Sequence, residues 1–294
     1  MSDPEVTRAL LALAREGRGE DAQLAVEALG HVREAGPAVV DALFALLEGD
    51  AALRRAAGYA LGRLGPATLA ASDRLLGVAA ADDVAGEWAR AAIGELGEPI
   101  LPALERRLEA EADPARRARL AAALGELRET KAPVPTLRRL LEDGDVRVRV
   151  AAALAIGRLG EYGRDAVPAL EEATGAPEAR VRLAAVTALG MLGRGDRRLV
   201  APLAARVADE DGDVARAAVD AIGRLALPET IDTFLPLLEH EDAGIRWRAA
   251  HWLGTLGATA RRALPALMPL LEDPDEIVRQ SAARAAELIR KGGR

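Results

Sequence analysis

The sequence predicts an all-α fold, a right-handed α-solenoid of about nine helical hairpins. Two observations predict it. A marker of three residues, Ala or Trp followed by Leu or Ile and then Gly, recurs about every 32 residues. The composition, with 50% hydrophobic, 29% charged and 2% aromatic residues, supplies small apolar side chains that suit closely packed helices better than a sandwich or barrel. A unit of this length cannot bury its apolar face alone, so neighbouring units must stack into one continuous core.

The marker glycine sets the phase of the repeat. It occurs at Gly30, Gly62, Gly94, Gly125, Gly157, Gly190, Gly223 and Gly254, with gaps of 32, 32, 31, 32, 33, 33 and 31 residues, and Glu287 takes its place in a ninth copy. Twelve residues before the marker an acidic residue stands in eight copies, and eight residues before it an arginine stands in six. This phase predicts a single domain over 1–294 with repeats at 4–34, 37–65, 66–97, 99–129, 133–160, 165–195, 199–227, 230–257 and 263–291.

Each repeat is predicted to contain two helices, which we term the A helix and the B helix. In the fifth copy the A helix covers 133–141, and a turn of acidic residues and glycine then breaks the helical pattern. Asp145 ends this turn, where its carboxylate can accept backbone N–H groups at the start of the B helix. The predicted buried stripe of that helix is Val148, Ala152, Ala155, Ile156 and Leu159. Gly160 then ends the helix.

The marker glycine lies in the last turn of each B helix, where a glycine costs about 0.5–1 kcal/mol relative to alanine. A cost repeated in eight copies requires a compensating contact. We expect the backbone or a bulky leucine of the adjacent repeat to pack where the Cβ atom of another residue would lie. Trp88 and Trp252 stand where most repeats have alanine, and we interpret both as core residues.

The pattern Pro-x-x-x-x-Leu-Leu-x-Asp-x-Asp-x-x-Val-Arg-x-x-Ala-Ala-x-Ala-Leu-Gly-x-Leu-Gly is clearest over 135–160 and 265–279, and it resembles the short bacterial HEAT repeat of the PBS-lyase type. The resemblance covers nearly the whole chain. It implies that the turn acid and the B-helix arginine bridge neighbouring repeats, a role it gives to Asp143, Asp145, Arg149, Arg182, Asp273 and Arg279. Gly86 and Ala215 replace that arginine in repeats three and seven, so we expect the bridges to be broken there.

The residue inventory argues against catalysis. The chain has no cysteine, which excludes a disulfide framework, a zinc ribbon and thiol chemistry. Similarity to deoxyhypusine hydroxylase would require several His-Glu pairs to hold iron, and the chain has only His240-Glu241. The acidic run over 209–213 lacks the glycine and glutamate of a calcium-binding EF-hand. We therefore predict a protein that is not an enzyme, with no catalytic residue, no metal and no cofactor.

Charge and hydropathy narrow the choice of partner and compartment. The net charge of −7 argues against nucleic acid, although the basic stretch over 105–158 leaves a nucleic-acid-binding or DNA-glycosylase-like protein as the first alternative. A lyase or chaperone-type subunit that acts on a partner protein is the second alternative.

The hydropathy of the chain bears on its compartment. No apolar run approaches the roughly 18–20 residues needed to cross a membrane. The start, Met1-Ser2-Asp3-Pro4-Glu5, lacks a secretory signal, so we expect a cytoplasmic protein. The oligomeric state is left open.

The B helix has a second face besides its core stripe. The residues seven and three positions before the marker and one after it lie four apart on this side, which we term the B-helix face. In the family that the sequence resembles, this face lines the concave, partner-binding surface. In repeats five and six it carries apolar residues, which is typical of an interaction site unless curvature between repeats buries them. We therefore predict a non-catalytic scaffold or adaptor that binds a protein partner through Val150, Leu154, Arg158, Leu183, Thr187, Met191, Arg216, Asp220, Arg224, Trp247 and His251.

Overall fold

The computed structural model describes residues 4–292, which form α-helices, short 3₁₀ helices and turns, with no β-strand among them. The predicted all-α fold is confirmed. Residues Met1 to Asp3, on which the expectation about a secretory signal partly rests, lie outside this described range.

The chain divides after Asp165 into two compact units. In the first unit the α-helices are α1 (Pro4–Glu16), α2 (Glu20–Leu29), α3 (Pro37–Gly49), α4 (Arg54–Arg63), α5 (Pro66–Ala70), α6 (Ser72–Ala79), α7 (Val84–Leu96), α8 (Leu101–Ala110), α9 (Pro114–Leu124), α10 (Val134–Leu140) and α11 (Val146–Arg158). In the second unit they are α12 (Val167–Ala173), α13 (Ala179–Leu192), α14 (Val200–Ala205), α15 (Gly212–Arg224), α16 (Thr230–Leu237), α17 (Ala243–Thr255), α18 (Leu264–Leu267) and α19 (Glu276–Lys291).

The nine B helices are α2, α4, α7, α9, α11, α13, α15, α17 and α19. Consecutive B helices pack side by side within each unit, as α4 does with α7 and α17 does with α19. The predicted core stripe of α11 is buried in full, and alanine and leucine make up most of the buried residues throughout. The prediction that the nine repeats form one domain stays a prediction.

Aspartates at the turns begin the B helices as predicted. The carboxylate of Asp145 accepts a hydrogen bond from the backbone N–H of Arg147 at 2.8 Å. Arg147 also donates from its guanidinium, and these two contacts lower the pKa of Asp145 to about 2. The same cap is made by Asp113, Asp211, Asp242 and Asp275, whereas Asp50 accepts the N–H groups of Ala52 and Leu53 in the turn before α4. In repeat three, Asp83 forms the cap, one residue after the position that the repeat phase indicates.

The marker glycines lie where the next B helix approaches most closely. A Cβ atom on Gly30, Gly125, Gly190 or Gly254 would lie 2.8 Å from the Cα atom of an alanine in the following repeat. Those alanines are Ala60, Ala155, Ala221 and Ala285, each two residues before the next marker position. The expected backbone contact is confirmed, and it explains why the chain accepts glycine at these positions, of which Gly30 and Gly125 are the C-caps of α2 and α9.

Three other marker glycines make different contacts. A Cβ atom on Gly62 would overlap the Cβ atom of Glu95, and one on Gly94 would lie 3.3 Å from the Cβ atom of Glu126. At Gly223 the space is filled by the indole of Trp252. The absent side chain therefore admits a glutamate stem in the first unit and a tryptophan ring in the second.

Arginines of the B helices link consecutive repeats. Each donates through Nε and Nη2 to both oxygens of an aspartate 26 or 27 residues later, and through Nη1 to a backbone carbonyl of its own turn. The three bidentate pairs are Arg117–Asp143 at 2.9 and 3.0 Å, Arg182–Asp209 at 2.9 and 2.8 Å, and Arg246–Asp273 at 2.8 and 2.9 Å. Their hydrogen bonds hold the pKa of each aspartate below its ordinary value. Asp145 and Arg279, given the same role by resemblance, bond within their own repeats.

Repeat seven keeps a link to repeat eight, contrary to expectation. Ala215 takes the arginine position there, but Arg216 donates from Nη1 to Asp242 at 2.6 Å. The acid of the usual pair is also missing from repeat eight, where His240 accepts the backbone N–H of Asp242 on its Nδ1 atom. Ala215 and His240 thus stand where other repeats have the bridging arginine and aspartate, and Arg216 and Asp242 form the link instead.

Replacement of Gly125 by alanine should lower the free energy of unfolding by about 1–3 kcal/mol, because the new Cβ atom would displace the backbone at Ala155. Urea unfolding followed by circular dichroism measures this change. Gly77→Ala is the control, since Gly77 lies inside α6 with no neighbour near its Cβ position, and it should be neutral or stabilising. Equal effects of the two substitutions would contradict the assigned contact.

Asp273→Asn should lower the free energy of unfolding at pH 7 by roughly 1–3 kcal/mol, because Arg246 loses the charge opposite it. The pKa of Asp273 is lowered in the folded protein. Its stabilisation is therefore present above the unfolded pKa of about 3.9 and is lost as the pH falls through the folded pKa. Urea unfolding at pH 7 and at pH values below 3.9 should show wild type and variant converging in acid; a constant difference would refute the linkage.

Candidate functional site

The eleven predicted partner-binding residues lie on four B helices. Val150, Leu154 and Arg158 belong to α11 in the first unit. The other eight lie on α13, α15 and α17 in the second unit. The second unit therefore holds most of the predicted site, and its helices α13, α15 and α17 pack consecutively.

The apolar part of the predicted site is less exposed than expected. Val150, Leu154 and Leu183 are each partly buried, whereas Met191 is 41% exposed. Thr187 uses its hydroxyl within its own helix, donating to the carbonyl of Leu183 at 2.7 Å. Packing against neighbours thus covers part of these side chains and leaves Met191 as the most accessible apolar group of α13.

An ordered cluster joins α15 to α17, and we term it the α15–α17 cluster: Asp220, Trp247, Arg248, His251 and Trp252. Asp220 accepts one hydrogen bond from Trp252 Nε1 at 2.9 Å and one from Arg248 Nε at 3.0 Å. Arg248 also donates to the carbonyl of Gly244 at 2.9 Å. These bonds fix the carboxylate, the guanidinium and the indole relative to one another.

Aromatic contacts extend the cluster. The guanidinium of Arg248 lies 4.3 Å from the ring centroid of Trp247, a cation–π distance. The ring of His251 lies edge-on to both tryptophans, 6.4 Å from Trp247 and 5.1 Å from Trp252. Trp247 and Trp252 are both partly exposed, and His251 is exposed. The result is an aromatic surface that is partly exposed to solvent, so Trp252 is not a fully buried core residue.

Charged residues surround this surface. Arg216 is held by Asp213 at 2.8 Å and by Asp242. Arg224, at the end of α15, is exposed. Arg158 lies in the first unit. It donates a hydrogen bond to the carbonyl of Ala122 in the preceding repeat at 3.2 Å.

Sequence reasoning assigned Asp220, Trp247 and His251 to the site but missed Arg248 and the part that Trp252 plays. Arg248 lies one residue beyond the regular B-helix face positions, and only side-chain contacts reveal its role. A signal for Trp252 did exist, because it stands one repeat length, 32 residues, after Asp220. A donor indole and an acceptor carboxylate at that spacing fall on adjacent B helices.

The basic stretch that supports the nucleic-acid alternative is interleaved with acids. Glu111 forms ion pairs with Arg107 at 2.9 Å and with Arg116 at 3.2 Å. Further pairs are Arg117–Asp143, Arg119–Asp82, Arg139–Glu109 and Arg147–Asp145. Most of these arginines therefore face a carboxylate rather than forming a continuous positive surface.

The acidic run over 209–213 has structural roles. Asp209 bonds Arg182, Asp211 caps α15, and Asp213 pairs with Arg216. Within residues 4–292 no three histidine, cysteine or carboxylate side chains converge in the way a metal ion requires.

The family model of the HEAT repeats matches residues 101–190, 159–218 and 200–287, which together cover more than half of the chain. The chain belongs to the HEAT-repeat family. This HEAT-repeat chain is therefore an α-solenoid. No curated protein matches its sequence.

Solved structures share the HEAT-repeat fold. A chain from the structure in which Kap95p binding induces the switch loops of RanGDP to adopt the GTP-bound conformation aligns over 99% of this protein, with a TM-score of 0.56 and 16% identity. The present protein spans 46% of that chain. YibA of Escherichia coli aligns over 92% of this protein and 98% of its own length, with a TM-score of 0.52 and 16% identity. Identities this low show similarity of fold alone.

Over the described range, none of the helices has the length and apolar character needed to traverse a lipid bilayer.

Asp220→Ala should lower the free energy of unfolding by about 1–3 kcal/mol, since it leaves the Trp252 N–H and the Arg248 guanidinium without their shared acceptor. Chemical unfolding, followed by circular dichroism, tests this. The matched control is Glu239→Ala, in the exposed turn after α16, which should change stability by less than about 0.5 kcal/mol. If Asp220→Ala lowers the free energy of unfolding no more than Glu239→Ala does, the hydrogen bonds of Asp220 do not stabilise the fold.

Proposed function

We propose that this protein is a non-catalytic scaffold or adaptor that binds a partner protein through the B-helix face of its second unit. The proposed contact centres on the α15–α17 cluster and extends to Arg216, Arg224 and Met191. The observation that carries the proposal is the partly exposed Trp247 ring, stacked by an arginine that Asp220 holds in place. HEAT-repeat solenoids commonly serve as surfaces for protein binding.

The composition of this surface favours a protein partner. Tryptophan and arginine are the residues that most often dominate the binding energy of protein interfaces. Rings and guanidinium groups that are already ordered lose little conformational entropy when a partner docks. The cluster has this pre-ordered character, because its polar atoms are bonded to one another and its aromatic surfaces remain open.

Nucleic-acid binding and lyase or chaperone activity have less support. A nucleic-acid surface needs arginines free to neutralise phosphates, and in the basic stretch Arg107, Arg116 and Arg119 are paired with carboxylates. A lyase or chaperone-type subunit would also bind a protein, and it would differ from a scaffold only in acting on that protein once it is bound. The proposal places the protein in the cytoplasm, where a chain without cysteine is suited to reducing conditions.

Trp247→Ala should weaken partner binding by roughly 30-fold, which corresponds to about 2 kcal/mol for a central interface residue. The partner is first identified by cross-linking the wild-type protein in cell extract. Its affinity for wild type and variant is then measured with purified components by isothermal titration calorimetry. Circular dichroism verifies that the variant is folded.

Ile277→Ala provides the control, because Ile277 is an apolar side chain, 58% exposed, in the first turn of α19 and is not one of the cluster residues. It should leave the affinity unchanged. Equal binding by the Trp247 variant and wild type would place the contact elsewhere. If the material cross-linked to the wild-type protein in cell extract is lost after nuclease digestion, the ligand is nucleic acid instead.

A further inference from the structure

A cavity of about 560 Å³ opens on the B-helix face of the first unit. It lies in repeats two to four, remote in sequence from the α15–α17 cluster. The side chains that give it its character are Tyr59, Glu95, Glu98, Glu126, Arg128 and Glu129. Tyr59, Glu95 and Glu126 occupy B-helix face positions, so the repeat itself brings them to one surface.

Marker glycines place two of these carboxylates. Gly62 admits the Cβ atom of Glu95 against α4, and Gly94 admits that of Glu126 against α7. In four other repeats the marker glycine contacts an alanine instead. The Cβ atoms of both glutamates are thus held against the preceding B helix beside the cavity.

The aromatic wall of the cavity is also ordered. Tyr59 is 39% exposed, and its ring packs against Trp88 with 5.8 Å between centroids. Gly58 lies under that tryptophan, since a Cβ atom there would be 2.9 Å from the Cβ atom of Trp88. The tyrosine therefore offers a fixed ring face to the cavity, a surface on which a guanidinium or ammonium group can stack.

The charge of the cavity is negative. Four glutamates and one arginine line it, and Glu126 pairs with Arg128 at 3.0 Å and with Arg158 at 3.8 Å. Glu98 accepts a hydrogen bond from the hydroxyl of Thr130 at 2.7 Å, which leaves its charge in place. Among the described residues, neither Glu95 nor Glu129 forms an ion pair, although Arg128 lines the same cavity. The helix ends of α7 and α9 lie beside the cavity, and their carbonyl groups add negative potential.

We propose that this cavity is a second docking surface, which binds a segment of a partner protein carrying arginine side chains. Charge complementarity selects the occupant, because the carboxylates pair with a guanidinium while Tyr59 stacks on its plane. The volume accommodates a side chain of this size with its flanking backbone. This site is independent of the proposed function at the α15–α17 cluster, since no residue is shared.

The test uses the full chain and a fluorescently labelled hexa-arginine peptide, with binding followed by anisotropy. Wild type should bind the peptide, should bind it less tightly as salt is added, and should not bind hexa-glutamate. The double variant Glu95→Gln, Glu129→Gln should weaken binding about tenfold, because two charges leave the cavity while the packed stems stay. Tyr59→Leu should weaken it roughly threefold through loss of the ring face.

The matched control is Glu34→Gln with Glu142→Gln, which removes the same charge from exposed positions of the first unit outside the cavity. This variant should bind nearly as wild type does. Equal weakening by both double variants would overturn the proposal, because diffuse attraction would then explain binding. Absence of binding by folded wild type would also overturn it. Trp247→Ala should bind the peptide normally, which separates this result from any failure at the α15–α17 cluster.

Discussion

The approach of neighbouring B helices at the marker glycine is the contact on which the structure depends. A missing Cβ atom on Gly30, Gly125, Gly190 or Gly254 lets the following helix bring its Cα atom into direct contact. That separation fixes the core, because alanines and leucines close a gap too narrow for aromatic side chains. It also fixes the distance between neighbouring repeats. At that distance the Nε and Nη2 atoms of an arginine can each reach one carboxylate oxygen of the aspartate in the next turn.

Variation at this single contact generates the two surfaces that distinguish the protein. Where alanine fills the space, the B helices present an ordinary stacked face. Where Glu95 and Glu126 fill it, their carboxylates are held at the rim of a negatively charged cavity. Where Trp252 fills it, the indole reaches Asp220 and helps to order an aromatic platform. A packing requirement of the core thus determines the chemistry of the exposed side.

The sequence was sufficient for features that depend on periodicity: the helical hairpins, the buried stripe of α11, the cap at Asp145 and the contact made by the marker glycine. It was insufficient where a neighbour one residue away could take over a role. Arg216 replaces the absent arginine of repeat seven, and Asp83 caps α7 instead of Asp82. The partial burial of Leu154 and Leu183 depends on the side-chain conformations of their neighbours, and a helical repeat pattern does not specify these conformations.

The altered link between repeats seven and eight limits how such a chain can grow. The three bidentate bridges join repeats four and five, six and seven, and eight and nine through the same pair of positions. Repeat seven offers Arg216 from a shifted position, and repeat eight receives it on Asp242 because His240 holds the usual acceptor site. These two units form a matched couple. A duplication or deletion between them would leave Arg216 or Asp242 without its partner across the junction.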